Sequence, residues 1–471
     1  MKEMFTFKNL GVSFFGALFI GGICKLGWIF STLLFLILFL LIPGIIKNLE
    51  KEKQSYRRFS DACLYLEQME GAYRKNKRIY QSLKETEGLF QEGDMKTALH
   101  SAVWEFERED AGIDTSKNAL GIIEASYGCE QMELMHDFFL RNEMLGGSCE
   151  KAIRVLSKRR DAWIEATEQC RSEKRNMLVS AILSTIALFV VSEVIMFFMP
   201  QQMNIMTHMW ERVAVVTEVA LLVLLMRRAT KKNATDWLEK SVERTEEKIQ
   251  RDYHFIETYD EKKEFLTSLK WSVIPAAITL LLFLITRSML CLAIGIPITA
   301  LMLNQHKLDY SLKKKRIKKE VERDYPKWLL GVILFMETES VQGAIYKSLQ
   351  NAPNVLRYPF TKFERLLKER PTEPDAYFHF LEDYDVPKVH ESMKLLYAIS
   401  TGKGGNTEEQ MLQIVEKNNA MTMRSEKIKN DNKVVGMMGY IFYPVFPTGI
   451  KMMADLLMIL LSVYESMSGV I

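Results

Sequence analysis

The stretch Leu26–Ile46 reads LGWIFSTLLFLILFLLIPGII and carries no charge. A helix of about 20 mainly apolar residues spans the hydrocarbon core of a bilayer, so this segment alone directs the chain to a membrane. Lipid leaves few folds open, because every backbone polar group must be satisfied inside the segment or by a closed barrel. Six further apolar runs accompany it. Gly11–Cys24 reaches spanning length when residues 8–10 join it, and only Lys25 separates it from Leu26, which predicts a tight hairpin. Met177–Pro200 and Val213–Met226, the latter extended back toward Thr207, form a second pair. Trp271–Thr286 and Ser288–Leu303 form another hairpin around Arg287. Val434–Leu461 contains Pro444, Pro447 and Lys451, so it is read either as a kinked span or as a span followed by a surface helix. About seven transmembrane helices are expected.

The intervening segments are densely charged. Lys47–Arg175 opens with KNLEKEKQSYRRF, Arg227–Lys270 opens with RRATKK, and HKLDYSLKKKRIKKEVERDYPK precedes the last charged stretch. The loops at residue 25, at 200–212 and at 287 hold few Lys or Arg. Basic segments resist translocation, which places 47–176, 227–270 and 304–433 in the cytoplasm. The N-terminus is then inside and the C-terminus outside, and seven spans satisfy that parity. The expected organisation is a hairpin at 8–46, a first cytoplasmic domain at 47–176 and a membrane pair at 177–226. A charged helical linker at 227–270, a hairpin at 271–303, a second cytoplasmic domain at 304–433 and a last span at 434–464 follow.

The cytoplasmic segments carry helical periodicity and no alternating strand pattern of any length. Phe59–Met69, Tyr80–Phe90, Met95–Phe106, Met132–Met144 and Glu150–Arg175 are the predicted helices, with a break near Gly93-Asp94 and the last running straight into Met177. The fold class expected is all-α: a polytopic membrane protein with two cytoplasmic helical bundles. An uncleaved hairpin fits the N-terminus better than a signal peptide, since the apolar run continues past Lys25 without a cleavage site.

Charge is nearly balanced, with 62 Lys and Arg against 59 Asp and Glu. That balance argues against a strongly basic nucleic-acid binder. The basic cluster before Trp328 has no accompanying aromatic series of the kind that stacks on bases. The six cysteines form no C-x-x-C pair and sit beside no His cluster, so reduced thiols are expected and neither a metal nor a cofactor is implied. No catalytic cluster is visible, and no enzymatic role is expected.

The two halves echo each other. Ile79-Tyr80-Gln81-Ser82-Leu83 matches Ile345-Tyr346-Lys347-Ser348-Leu349, and Gly146-Gly147-Ser148-Cys149-Glu150 matches Gly404-Gly405-Asn406-Thr407-Glu408. In each half a long charged helix follows the Gly-Gly pair and a span begins, at Met177 and at Val434. This reads as a parallel repeat, with both domains facing one compartment. The Gly residues suit a left-handed helix end, with Ser148 or Asn406 capping the next helix and Glu150 or Glu408 in its first turn. A phosphate-binding reading of 402–407 lacks the G-x-x-x-x-G-K-[ST] spacing.

A charged helical domain, a Gly-containing turn, a long amphipathic helix running into a span, and a duplicate of all this resemble the type II secretion system F domain family. Within it the chain is most similar to the TadB- and TadC-like inner-membrane platform proteins of Tad/Flp-type pilus assembly, with two F-like domains in one polypeptide. The resemblance is weakest over Asn351–Pro387, where Pro353, Pro359, Pro371, Pro374 and Pro387 interrupt the pattern. It implies a scaffold in the inner (plasma) membrane. The implied partners are a cytoplasmic secretion ATPase, prepilin or pilin subunits, other platform components, membrane lipids and further copies of the chain.

Glu193 and Glu218 fall inside predicted spans, where charge is costly and therefore a functional candidate. Residue 193 lies about 10 Å from the Pro200 end at 1.5 Å per residue, within reach of the outer interface. That makes snorkelling to water the favoured reading for Glu193, with Glu218 open. Lys451 and Asp455 have the spacing of a local ion pair. The KKKRIKK run at 313–319 reads as a topology anchor ahead of an anionic-lipid contact. The alternative function is a transporter or permease subunit using Glu193 and Glu218.

Overall fold

A computed structural model describes residues 7–108, 113–146, 150–198, 208–239, 244–287, 289–336, 339–370, 373–402 and 407–468. Among them all regular structure is helical. In chain order the helices begin with α1 (Phe7–Ile23), α2 (Gly27–Asn76), α3 (Ile79–Leu89), α4 (Asp94–Arg108), α5 (Ile113–Tyr127) and α6 (Glu130–Leu145). Next come α7 (Glu150–Phe197), α8 (Met209–Asn233), α9 (Glu246–Glu257), α10 (Glu261–Thr286), α11 (Met289–Leu303) and α12 (Gln305–Phe335). The remainder are α13 (Val341–Leu349), α14 (Asn354–Glu369), α15 (Asp375–Phe378), α16 (Pro387–Thr401), α17 (Thr407–Phe442) and α18 (Val445–Ser468).

Four helices among the described residues are long and apolar enough to cross a membrane, not seven. They run over Gly27–Asn76, Ala152–Phe197, Glu261–Ile285 and Glu409–Tyr464, the last comprising α17 and α18 with the turn at Tyr443-Pro444 between them. The shortfall has plain causes. The described parts of α1 and α11 give apolar stretches of only Asn9–Ile23 and Leu292–Leu303, shorter than a full span. The apolar part of α8 contains Glu211, Arg212 and Glu218, too many charges for a simple lipid-facing helix. The side chains on these helices are turned inside out relative to a water-soluble protein. Phe15 and Phe19 on α1, Leu40 on α2, Ile285 on α10 and Met453 on α18 are each about 70 % exposed. A bilayer covers such faces without the cost of hydrating them. The coarse reading, a multi-pass membrane protein, follows from these helices.

The chain divides into two compact units. The first comprises residues 1–145, 164–240 and 429–471, and the second comprises 146–163 and 241–428.

In the first unit α1 and α2 form the predicted hairpin, turning at Lys25, which takes a left-handed conformation (φ 51°). Ala17, Leu26, Leu34 and Leu38 of this hairpin pack with Val215, Val216 and Val219 of α8. α2 then continues without a break past Lys47 and becomes the first helix of the bundle, so the expected boundary at 46/47 falls inside one helix. Phe59, Tyr65, Leu66, Met69 and Tyr73 make its buried stripe at helical spacing. Tyr73 stacks on Phe139 of α6 with ring centroids 3.9 Å apart. The Tyr65 hydroxyl meets His136 Nε2 at 2.8 Å, and His136 Nδ1 meets Glu124 at 2.7 Å. Both ring nitrogens are thereby satisfied, as a core histidine requires.

The second unit repeats the order of hairpin and bundle. α10 and α11 turn at Arg287, again left-handed (φ 46°). Gly295 sits so close to Thr279 that an added Cβ would collide with it, which is how small residues let membrane helices approach. α12 packs against α13 and α14, and α16 packs against α13 and α15. Residues 246–257, inside the expected helical linker, form α9, which packs on α12 and α14 because Ile249 and Tyr253 give it an apolar side. Arg244 fastens it, with its guanidinium 2.7 Å from Asp252 of α9 and 3.0 Å from Glu320 of α12.

The C-terminal segment breaks at its prolines. α17 ends at Phe442, the chain turns at Tyr443-Pro444, and α18 continues to Ser468. Proline lacks the N–H that would extend α17 and fixes the break.

Candidate functional site

Three helices of the first unit bring charge to one buried point. α18 presents Thr448, Lys451 and Asp455, which fall on one face at spacings of three and four. α8 presents Glu211 and Glu218, two turns apart on one face. α7 contributes Ser192 and Glu193. Lys451 Nζ lies 3.2 Å from Glu193, 3.1 Å from Glu211 and 2.8 Å from Asp455. The lysine is 2 % exposed, and Glu193, Glu211, Glu218 and Asp455 are all buried.

An ammonium held by three carboxylates answers the main electrostatic difficulty of a charged group in lipid. Water is excluded, so each charge must be met by an opposite charge or remain at high cost. Glu211 also stands in the first turn of α8, where the helix dipole favours an anion. The Cys24 thiol, at the α1–α2 turn, lies beside Glu193 and is 3 % exposed. Arg212 is directed elsewhere, with its guanidinium against Gly27 at the start of α2. The cluster therefore holds four carboxylates and one amine. Glu218 makes no ion pair with Lys451: the Ser192 hydroxyl donates toward its Oε1 at 3.5 Å, and the Thr448 hydroxyl is a second hydrogen-bond partner of the same carboxyl.

The sequence reading named Glu193, Glu218, Lys451 and Asp455 separately and missed Glu211 and the joining of these groups in one cluster. Glu193 does not snorkel to water. It is buried and paired with Lys451, a residue so distant in the chain that local patterning carries no trace of the contact. Glu218 joins the same cluster. The Lys451–Asp455 pair forms as expected, but Lys451 also collects Glu193 and Glu211. Glu211 had one available signal, a charged residue at the mouth of an apolar run.

Of the repeat glycines, Gly146 follows α6 in the left-handed conformation (φ 68°). Gly147, Gly404 and Gly405 lie outside the described residues. In the second copy Gly402 has the left-handed geometry (φ 63°) and closes α16. Among the described residues no group of three or more His, Cys, Asp or Glu is arranged to hold a metal ion. A cavity of about 100 Å³ in the second unit, between Tyr253, Tyr358, Phe363 and Phe380, is well below the roughly 300–1,000 Å³ of ordinary small-molecule sites.

Compared with known proteins, the chain matches no family model, no curated sequence and no solved structure.

Proposed function

We propose that this chain is a platform protein of the inner membrane in a type II secretion or Tad/type IV-like pilus assembly machine, coupling a cytoplasmic secretion ATPase to pilin assembly. One observation carries the reading. α2 runs as a single helix of 50 residues from an apolar stretch into the core of a charged bundle. At 1.5 Å per residue it is about 75 Å long. A rigid rod of that length transmits a push or rotation of the bundle into the membrane, which is what a mechanical scaffold needs. The arrangement of hairpin followed by bundle in both units supports the same reading, as does the resemblance carried by the sequence.

Under this proposal both bundles face the cytoplasm, where an ATPase engages them, and the membrane helices guide pilin subunits. Oligomerisation of the chain and contacts with other platform components complete the apparatus.

Affinity purification of the full chain from its native host in mild detergent tests the proposal. Mass spectrometry is expected to find a hexameric secretion ATPase and small prepilins enriched well above a control membrane protein. Recovery of intact chain with neither partner would refute it.

A second reading, a transporter or permease subunit, is favoured by the buried Lys451 cluster, since intramembrane charge is a common feature of transport pathways. Solute flux through vesicles containing the purified chain alone belongs only to this second reading.

A further inference from the structure

The small cavity of the second unit has aromatic walls and an acidic rim. α9 presents Tyr253 and Glu257 to it, and α14 presents Tyr358 and Lys362, each pair one turn apart on its helix. The segment between α15 and α16 closes the third side with Tyr384 and the exposed carboxylates of Glu382 and Asp383. Tyr253 stacks on Tyr358 with ring centroids 5.1 Å apart and meets Tyr384 edge-on at 5.5 Å. The Tyr358 hydroxyl donates to Glu257 Oε2 at 2.6 Å. That bond fixes an exposed carboxylate beside the rings and leaves its other oxygen able to accept. A tight turn sets Tyr384 in place. Leu381 and Asp385, on either side of the 3-10 turn Glu382–Tyr384, are both left-handed (φ 57° and 49°). Residues with side chains adopt that conformation only where surrounding contacts impose it. Lys318 of α12 supplies one such contact, at 3.0 Å from Asp385.

The chemistry of this lining selects a cation. Three carboxylates, Glu257, Glu382 and Asp383, outnumber the one lysine, Lys362. Their field reaches the buried phenol of Tyr384: burial first, then Glu257 and Asp383, pushes its hydroxyl above the ordinary tyrosine range. Tyr384 is 6 % exposed, and its hydroxyl makes no hydrogen bond among the described residues, so a polar group already buried at the pocket lacks a partner. Aromatic faces attract positive charge, and carboxylates accept charged N–H groups more strongly than neutral ones. The cavity, about 100 Å³, is too small for a cofactor and suits the end of one side chain. A guanidinium meets both demands, because it is flat enough to lie on a ring and its N–H groups point outward to carboxylates. A quaternary ammonium has no N–H for the rim.

We propose that this pocket receives one arginine side chain of a protein partner, its guanidinium lying against the tyrosine rings and donating to Glu257. Glu382 and Asp383 at the rim steer a basic loop toward the opening. The pocket lies wholly within the second unit, and the proposal does not depend on the platform reading.

The test uses the full chain in an uncharged maltoside detergent and the peptide acetyl-Gly-Ser-Arg-Ser-Gly-amide, with saturation-transfer NMR as the readout for weak binding. The peptide is expected to bind saturably, with half-saturation on the order of 1 mM. Its twin with citrulline in place of arginine keeps the shape and loses the charge, and should bind at least roughly tenfold more weakly. Glu257→Gln, at an exposed position that leaves the fold intact, should raise the half-saturating concentration by roughly tenfold. Tyr358→Leu keeps every charge but removes one ring, and should raise it by roughly fivefold. Absence of saturable binding to the wild-type chain overturns the proposal without reference to any variant. So does equal binding of the citrulline peptide, which would make the pocket a plain apolar slot. Free arginine or choline binding more tightly than the peptide would assign the pocket to a small metabolite and overturn the protein partner. Unchanged half-saturation in Glu257→Gln would place the arginine elsewhere and refute the site.

Discussion

Replacing Lys451 with Met is expected to destabilise the folded protein by about 3–5 kcal/mol, the range found when one partner of a buried ion pair is removed. The loss is large because Lys451 is the amine shared by Glu193, Glu211 and Asp455 at 2.8–3.2 Å. Without it, three carboxylates repel one another where water cannot enter. The side-chain volume is nearly kept, so packing loss is not the cause. A quadruple variant, Lys451→Met with Glu193→Gln, Glu211→Gln and Asp455→Asn, is expected to recover most of the stability, because replacing a whole buried charged set by neutral groups is often close to neutral. Thermal unfolding in nanodiscs reads both. Wild-type stability of the single variant would show that the cluster is solvated after all.

Phe360→Ala is the second large effect, again about 3–5 kcal/mol, the usual cost of removing a buried aromatic ring. Phe360 is 3 % exposed and lies at the centre of an aromatic core. Its ring centroid is 4.6 Å from Trp328 of α12 and 5.1 Å from Phe380. Phe363, one turn on, continues the core to Tyr377 at 5.3 Å. No neighbour can move in to fill the void without leaving its own contacts. The variant should expose residues 244–402 to protease at a temperature where the wild type resists, while residues 27–108 stay protected. Equal resistance in the two proteins would contradict this packing.

The position of that core shows where sequence reading succeeds and where it stops. Long apolar runs and helical periodicity located most of the first unit's bundle helices, because both signals are local: α3, α4 and α6 lie within a few residues of their expected limits. The hairpin turns at Lys25 and Arg287 were legible from single basic residues between apolar runs. Asn351–Pro387, by contrast, looked irregular. Among the described residues, Pro353, Pro374 and Pro387 fall at or near helix starts and Pro359 is accommodated inside α14. Between them Phe360, Phe363, Tyr377 and Phe380 build the aromatic core described above. Proline density masked an apolar face that only the folded contacts make visible.

The number of spans was overestimated for a different reason. Hydropathy alone registers α8 as apolar, but it does not ask what Glu211 and Glu218 face. The structure answers by placing both carboxylates with Lys451 and Thr448 from α18. Half of the candidate site was therefore legible as residues out of place in apolar runs, and half depended on tertiary pairing between segments more than 200 residues apart. At 46/47 no break in conformation marks the expected limit between hairpin and charged domain, because α2 runs through it as one helix.

The claim on which the account rests is that the apolar helices hold both charged bundles on the cytoplasmic face of one membrane. Glu92→Cys in the first unit and Asp383→Cys in the second replace exposed residues outside the apolar helices. Labelling with a membrane-impermeant maleimide, in spheroplasts and over the background of the parent chain, reads their side directly. Both positions are predicted to stay unlabelled until the membrane is opened, whereas Tyr464→Cys near the C-terminus labels from outside. Labelling of one bundle position and protection of the other in sealed spheroplasts would contradict it.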